Sequence, residues 1–311
     1  MPSQNQIRTE LTNAILKALE DGIVPWKQSW TTDKNCGLPR NAQSKRLYNG
    51  INILLLALHN YRFGFQSRHF ATYRQWESLG GQVMRRPDGI PSGKWGCKII
   101  LFKPITKKKD DSEEEKTFFL MRQFTVFSVD QVKGEHLDHL RVGHSEEHVS
   151  PGVAHQQADE LIANSGAIIR HGGNSAFYDP RNDRIQMPLK SQFANNGNTY
   201  YETLMHEMCH WAENPSRMNT RRAAKDNGYA MGELVAEMGS CFVCADLGIE
   251  LAEGIDNHAA YISHWLNQIK AAVESDKSFL LRASTQASKV ADYLLSFSSA
   301  NTESQQASVK V

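Results

Sequence analysis

The chain has 311 residues, 40% of them apolar and 22% charged, with a formal net charge of +1. That length is generous for one hydrophobic core and suits two domains, and the composition excludes a low-complexity or disordered chain. The near-neutral total hides a division: residues 22–104 hold 13 Lys/Arg against three Asp/Glu, whereas residues 141–311 hold 14 against 20. A basic segment joined to an acidic one implies two different jobs.

Residues 7–20 read as an amphipathic helix with Ile7, Leu11, Ile15, Ala18 and Leu19 on one face, stopped by Gly22 and Pro25. Further helices are expected at 50–62 and 70–79. The Gly/Pro-rich stretch GGQVMRRPDGIPSGKWG reads as a loop. Strands follow at 96–105 and 117–130, and the charge run KKKDDSEEEK between them reads as a solvated hairpin tip. Residues 134–152 carry no periodicity and read as a linker. Beyond it come a helix at 153–164, short strands at 167–171, 175–179 and 184–187, and helices at 199–213, 229–247, 256–275 and 277–297. The polar tail from 299 to 311 reads as disordered. The fold class is α+β in two domains: 1–138, a linker at 139–152, and 153–298.

The five cysteines are odd in number and irregular in spacing, which argues against a disulfide framework. Cys241 and Cys244 form a lone C-x-x-C inside an apolar helix and read as core. No apolar run approaches the ~20 residues of a membrane span, and the opening MPSQNQIRTE lacks the apolar stretch of a signal peptide. The expectation is a cytoplasmic protein with no membrane partner.

The strongest chemical signal is HEMCH at 206–210. Residues four apart on a helix share one face, so His206 and His210 can ligate the same ion while Glu207 reaches a water beside it. A buried helix with two satisfied histidines is the bland alternative. A catalytic zinc takes three protein ligands and leaves one position open. The following helix offers Glu233 and Glu237, again four apart, on an otherwise apolar surface. The economical reading gives Glu233 to the metal and makes Glu237 the acceptor for a ligand histidine's second nitrogen. The reverse assignment and an ion pair of these carboxylates with Arg221 or Arg222 remain open, as do His258 and His264 as rival third ligands. Tyr178, Tyr201 and Tyr229 could donate to an oxyanion, although packing explains each as well. The strands at 175–179 and 184–187 could hold an extended peptide by strand addition. The expected cofactor is one Zn²⁺ per chain, with Glu207 as the catalytic base.

Four of the six tryptophans, Trp26, Trp30, Trp76 and Trp95, fall within the basic segment. Cations that follow a phosphate backbone, interleaved with aromatic faces that stack on bases, suit single-stranded nucleic acid. The candidate contacts are Arg40, Lys45, Arg46, Arg85, Arg86, Lys94, Trp95 and Lys98, while Trp76 reads as core. A moderately basic domain with core tryptophans is the competing explanation.

With both halves read, the chain resembles the ArdC family of plasmid antirestriction proteins. The N-terminal matches are PW at 25–26, LPRNAQSKRLYNGINILLL at 38–56, FATYRQWESLGGQV at 70–83 and FTVFSVDQVKG at 124–134. The C-terminal matches are AFYDPRNDRIQMP at 176–188, YYETLMHEMCHW at 200–211, YAMGELVAE at 229–237 and AAYISHWLNQIK at 259–270. Gly232 departs from the pattern, where a second Glu is expected before Glu233. The resemblance implies a single-stranded-DNA-binding domain shared with TraC-type conjugative primases, followed by a zincin-like metallopeptidase domain. It also implies protection of incoming plasmid DNA from host restriction during conjugation. By motif it carries zinc ligation onto His206, His210 and Glu233, and catalysis onto Glu207. Two other roles stay open: a DNA-dependent zinc protease acting on an unidentified protein substrate, and an accessory part in conjugative priming. The last is the weakest, because the N-terminal half carries no nucleotidyl-transfer carboxylate cluster.

Overall fold

The computed structural model describes residues 3–27, 33–108, 115–144, 150–193, 197–218, 228–251 and 258–298, with the backbone alone at 103–108, 115–120 and 258–260. Trp30, the middle of the 107–116 charge run, Arg221, Arg222, the tail from 299 and the side chain of His258 lie outside these. The fold is two-domain α+β.

Ser3 opens α1 (Gln4–Glu20) with a capping box to Gln6, and its apolar stripe, Ile7, Leu11, Ile15 and Leu19, is buried. A short strand β1 (Arg40–Asn41) and helix α2 (Ile51–Phe63) follow. Helix α2 lies against β4 (Cys97–Lys108), where the buried Asn52 side chain both donates to and accepts from the Ile100 backbone, at 2.8 and 2.9 Å. Strand β4 pairs along its whole length with β5 (Glu115–Ser128). With β2 (His69–Thr72) they form a sheet of order β1-β2-β5-β4.

The expected helix at 70–79 is two elements. Residues 69–72 are strand β2, and only α3 (Tyr73–Ser78) is helical. The reason is local. Phe70 and Ala71 are fully buried on the sheet, and Thr72 is an extended N-cap whose hydroxyl accepts the Gln75 amide. Trp76 is buried as expected, donating to the Phe127 carbonyl at 2.9 Å. A two-stranded pair, β3 (Gln82–Val83) with β6 (Val132–Lys133), closes this side. Part of the expected linker is ordered: residues 135–140 form a 3-10 helix that buries Leu137 and Leu140 beside Trp76.

The C-terminal half begins with α4 (Pro151–Ser165), capped by Ser150 and started by proline at its first position. Strands β7 (Ile168–His171), β8 (Phe177–Asp179) and β9 (Arg184–Met187) make a sheet of order β7-β9-β8, so β8 is an edge. Among the described residues the α-helices that follow are α5 (Asn198–Ala212), α6 (Gly228–Leu247), α7 (His258–Ser275) and α8 (Phe279–Leu295). Among the described residues no helix is long and apolar enough to cross a membrane. Helix α6 is buried along nearly its whole length between α5 and α8. It approaches α5 so closely at Gly239 that a Cβ there would lie 2.9 Å from Cys209 Sγ. Gly239→Ala is therefore expected to cost about 1–3 kcal/mol by overpacking, read as a lower midpoint in a denaturant melt; an unchanged midpoint would mean the two helices separate freely.

One apolar core runs through both halves, from Ile15, Leu19 and Leu54 to Val235, Phe242 and Leu294. Helix α1 packs on α7, and α2 on α8. At the second junction the Gly50 amide donates to Ser288 Oγ at 2.8 Å. Gly50 has φ +58°, and a Cβ there would come within 3.2 Å of Thr285 Oγ1, so both conformation and space call for glycine. Arg68 reaches Asp246 across the same boundary, at 3.7 Å.

Candidate metal centre and basic surface

Helix α5 presents His206 and His210 one turn apart, and α6 faces them with Glu233. The two Nε2 atoms are 3.2 Å from each other. Glu233 Oε2 lies 3.5 Å from His206 Nε2, and its Oε1 lies 3.7 Å from His210 Nε2. One donor atom from each of the three residues falls within 4.8 Å of the others. Two imidazole nitrogens and a carboxylate oxygen converging on one point are a donor set suited to a borderline divalent cation such as zinc. The group opens onto a cavity of about 590 Å³ bordered by Tyr178, Glu207, Glu213 and Tyr229, which leaves one side accessible.

Glu207 is 8% exposed, at the edge of this cavity. Its Oε2 accepts the backbone N–H of Tyr178 at 2.8 Å, so edge strand β8 fixes the carboxylate from above. The Tyr178 hydroxyl is committed elsewhere. It donates to Asp183 Oδ1 at 2.8 Å and accepts from Asn214 at 2.7 Å, while Arg217 lies 3.2 Å away. Arg217 also pairs with Asp183 and stacks 4.0 Å over Trp211, which ties the β8–β9 turn to the end of α5. Tyr201 is fully buried and bonded to Asp159 and Lys190. Tyr229, 79% exposed, borders the cavity. His264 is exposed, against Trp265, outside the set that converges with His206. Cys241 and Cys244 are buried and free, as a core reading expects.

Behind the histidines sits Glu237. Its Oε2 is 3.6 Å from His206 Nδ1, while Oε1 accepts the Tyr261 hydroxyl and lies 3.7 Å from Lys27 Nζ. Lys27 in turn bonds Glu202 at 2.9 Å and lies 4.8 Å from the Tyr261 ring centre. The Trp26 indole donates to the Tyr261 hydroxyl at 3.1 Å. Burial works against charge on His206, yet Glu233 and Glu237 outweigh it and hold the imidazole pKa up at about 10. Hydrogen bonds from His206 and His210 hold Glu233 well below the usual carboxylate range. Burial opposes the Lys27 charge too, but Glu237 and Glu202 push it above the ordinary lysine value. Lys27 and Tyr261 are missing from the sequence-derived set. They stand 210 and 24 residues from Glu237, and no helical period links them to it.

The basic candidates fall into two groups. Trp95 donates to the Met84 carbonyl at 3.0 Å and packs edge-on against Phe63 and Phe65. It thereby closes a loop on which Arg85, Arg86 and Lys94 are exposed, with Arg86 bonded back to the Ile90 carbonyl. Trp95 thus serves the loop's own packing. Lys98 is exposed at the start of β4. The second group is the turn after β1, where Lys45 and Arg46 are exposed and Arg40 is half-buried beside Arg68. That turn is bonded to α3 through Gln43 and Ser78 at 3.0 Å, which brings Arg74 and the 52%-exposed Tyr73 into the same region. Trp26 is core.

Residues 156–286 match the family described as zincin-like metallopeptidase, and residues 5–127 match the N-terminal domain of anti-restriction factor ArdC. The metal-free crystal structure of antirestriction protein ArdC from plasmid R388 superposes with a TM-score of 0.72, at 31% identity over 93% of this chain and 97% of that one. This chain belongs to the ArdC antirestriction family. A Mn(II)-bound structure of the R388 ArdC protein matches at 30% identity and a TM-score of 0.68, covering 94% of this chain and 98% of that one. The family likeness extends to the uncharacterized protein y4eC of Sinorhizobium fredii (strain NBRC 101917 / NGR234), 29% identical over 93% of this chain and 91% of that protein. It extends also to DNA primase TraC of Escherichia coli, 31% identical over 93% of this chain but only 27% of TraC.

Proposed function

We propose that this protein binds single-stranded DNA, shields incoming plasmid DNA from restriction, and carries a divalent-metal peptidase centre in its C-terminal half. The observation that carries the second part is the convergence of His206, His210 and Glu233 beside an open cavity, with Glu207 at its edge. In this reading His206 Nε2, His210 Nε2 and Glu233 hold the cation, with zinc favoured by the nitrogen-rich set. When bound, it supplies Lewis acidity to a water and to a peptide carbonyl. Glu207 takes the proton of the attacking water and returns it to the leaving amine. The Tyr178 amide holds Glu207 in place for that transfer, and Glu237 orients His206 through Nδ1–H. Edge strand β8 borders the cavity, and its open side is where an extended peptide would lie alongside it.

The DNA reading rests on the exposed cations Lys45, Arg46, Arg85, Arg86, Lys94 and Lys98 in the half that matches the ArdC N-terminal domain. Tyr73 is the stacking surface beside Lys45 and Arg46. If all six touch phosphates, log affinity against log salt should have a slope of about −4, and Arg85→Ala with Arg86→Ala should flatten it by about 1.4. Fluorescence anisotropy with a labelled oligonucleotide measures both, and a flat salt dependence counts against phosphate contacts. A restriction-protection assay on the wild type, this double variant and a Glu207 variant tests the function itself. Loss in the double variant alone assigns protection to DNA binding. Loss in the Glu207 variant alone favours the second reading, a DNA-dependent protease whose cleavage is the protective step.

A further inference from the structure

The network behind the metal centre crosses between the two halves of the chain. Trp26 and Lys27 lie just after α1, within the stretch that matches the ArdC N-terminal domain. Glu202 and His206 are on α5, Glu237 on α6 and Tyr261 on α7. Glu237 uses its two oxygens in opposite directions: Oε2 toward His206 Nδ1, and Oε1 toward Tyr261 and Lys27. Glu202 is a second carboxylate on the same ammonium. Trp26 fixes Tyr261 from the far side, through its indole N–H and through Trp265, whose ring it meets edge-on at 6.5 Å.

We infer that Lys27 and Tyr261 are positioning residues for the metal centre, so that the N-terminal half supplies part of the support on which the C-terminal half's site depends. This inference rests on reading His206, His210 and Glu233 as the cation's ligands. A ligand imidazole is fixed by what its other nitrogen touches, and here that group is Glu237. A carboxylate carried into a largely apolar helix stays turned inward only if its charge is met there. His206 can meet one oxygen; the other has Lys27 and Tyr261. Without Lys27, Glu237 and Glu202 lose the ammonium they share, and Glu237 loses its anchor on the side away from the histidine. Without the Tyr261 hydroxyl, Oε1 loses its hydrogen-bond donor and Trp26 loses its acceptor. In either case the ring of His206 is less firmly held with Nε2 toward His210 and Glu233.

The test uses the full chain and reads metal affinity rather than turnover. Zn(II) dissociation constants are measured by competition with a chromogenic chelator for the wild type, Lys27→Met, Lys27→Arg, Tyr261→Phe and Glu233→Ala, alongside thermal melts in EDTA. Lys27→Met and Tyr261→Phe are expected to weaken Zn(II) binding by about 10- to 100-fold, the range seen when a group supporting a ligand is removed. Lys27→Arg should recover most of the loss, because it restores a cation without restoring lysine. Should Lys27→Met melt too low to assay, Tyr261→Phe, which deletes one hydroxyl, decides the matter on the same scale. Wild-type affinity in Tyr261→Phe and Lys27→Met, with Glu233→Ala impaired, overturns the inference and leaves the ligand set standing. Wild-type affinity in Glu233→Ala as well overturns the ligand set itself.

Discussion

Replacing Glu207 with glutamine is expected to lower peptidase turnover by about 10²- to 10⁴-fold, the usual contribution of a general base, while metal content stays at the wild-type level. The geometry explains why these two effects separate. Glu207 lies between the two histidines in sequence, yet its carboxylate turns toward β8, where Oε2 meets the Tyr178 amide at 2.8 Å. The amide oxygen of glutamine can accept the same N–H, and the side-chain volume hardly changes, so the 8%-exposed site keeps its packing. What glutamine lacks is a basic oxygen to take the water's proton. Hydrolysis of an unfolded protein substrate, with metal analysis on the same preparations, measures both quantities. Turnover that survives the substitution removes Glu207 from the mechanism.

His210→Ala is expected to have the larger effect on the metal itself. Losing one of the three proposed ligands should weaken binding by more than the ~100-fold ceiling for a merely supporting group. Binding to the folded state alone also stabilises it. At a hundredfold excess over the dissociation constant that amounts to about 2.7 kcal/mol, or roughly 4 °C for one cooperative unit of this length at about 2.1 cal/mol/K per residue. Divalent metal should therefore raise the wild-type melting temperature by that amount, EDTA should reverse it, and neither should move His210→Ala. The position also carries a control: His264, exposed against Trp265, is a histidine of the same half whose removal should leave the metal-dependent shift intact. A full metal response in His210→Ala would place the cation elsewhere.

The centre was legible in the sequence to the extent that helical periodicity reaches. His206 with His210, and Glu233 with Glu237, are each one turn apart, so sharing a face follows from the backbone alone. That the two faces meet depends on how α6 docks on α5, and Gly239 against Cys209 is the contact that allows the approach. Lys27 and Tyr261 are set entirely by that tertiary docking, and a lysine after a Pro-Trp pair looks like any solvated residue. The basic half was harder to read, because an aromatic ring in a Gly/Pro-rich loop can face water or fold back. Trp95 folds back onto Phe63 and Phe65, whereas Tyr73, on the short helix α3, is exposed beside the Lys45–Arg46 turn. The 70–79 segment departs from its helical pattern for a related reason. Its apolar residues Phe70 and Ala71 belong to a strand held between two others, Phe70 pairing with Asn41 on one side and with Ser128 on the other.

The seam at Gly50 and Ser288, with Arg68 reaching Asp246 beside it, bears on how such a protein can be inherited. A recombination breakpoint between the halves would strip α2 from α8 and α1 from α7, exposing two apolar faces at once, and would take Lys27 away from Glu237. A breakpoint outside both halves disturbs neither. The TraC matches fit the second kind of event: 93% and 91% of this chain aligns as 27% and 19% of two much longer polypeptides. The shared stretch in those longer chains spans both halves together, so the seam at Gly50 and Ser288 lies inside it.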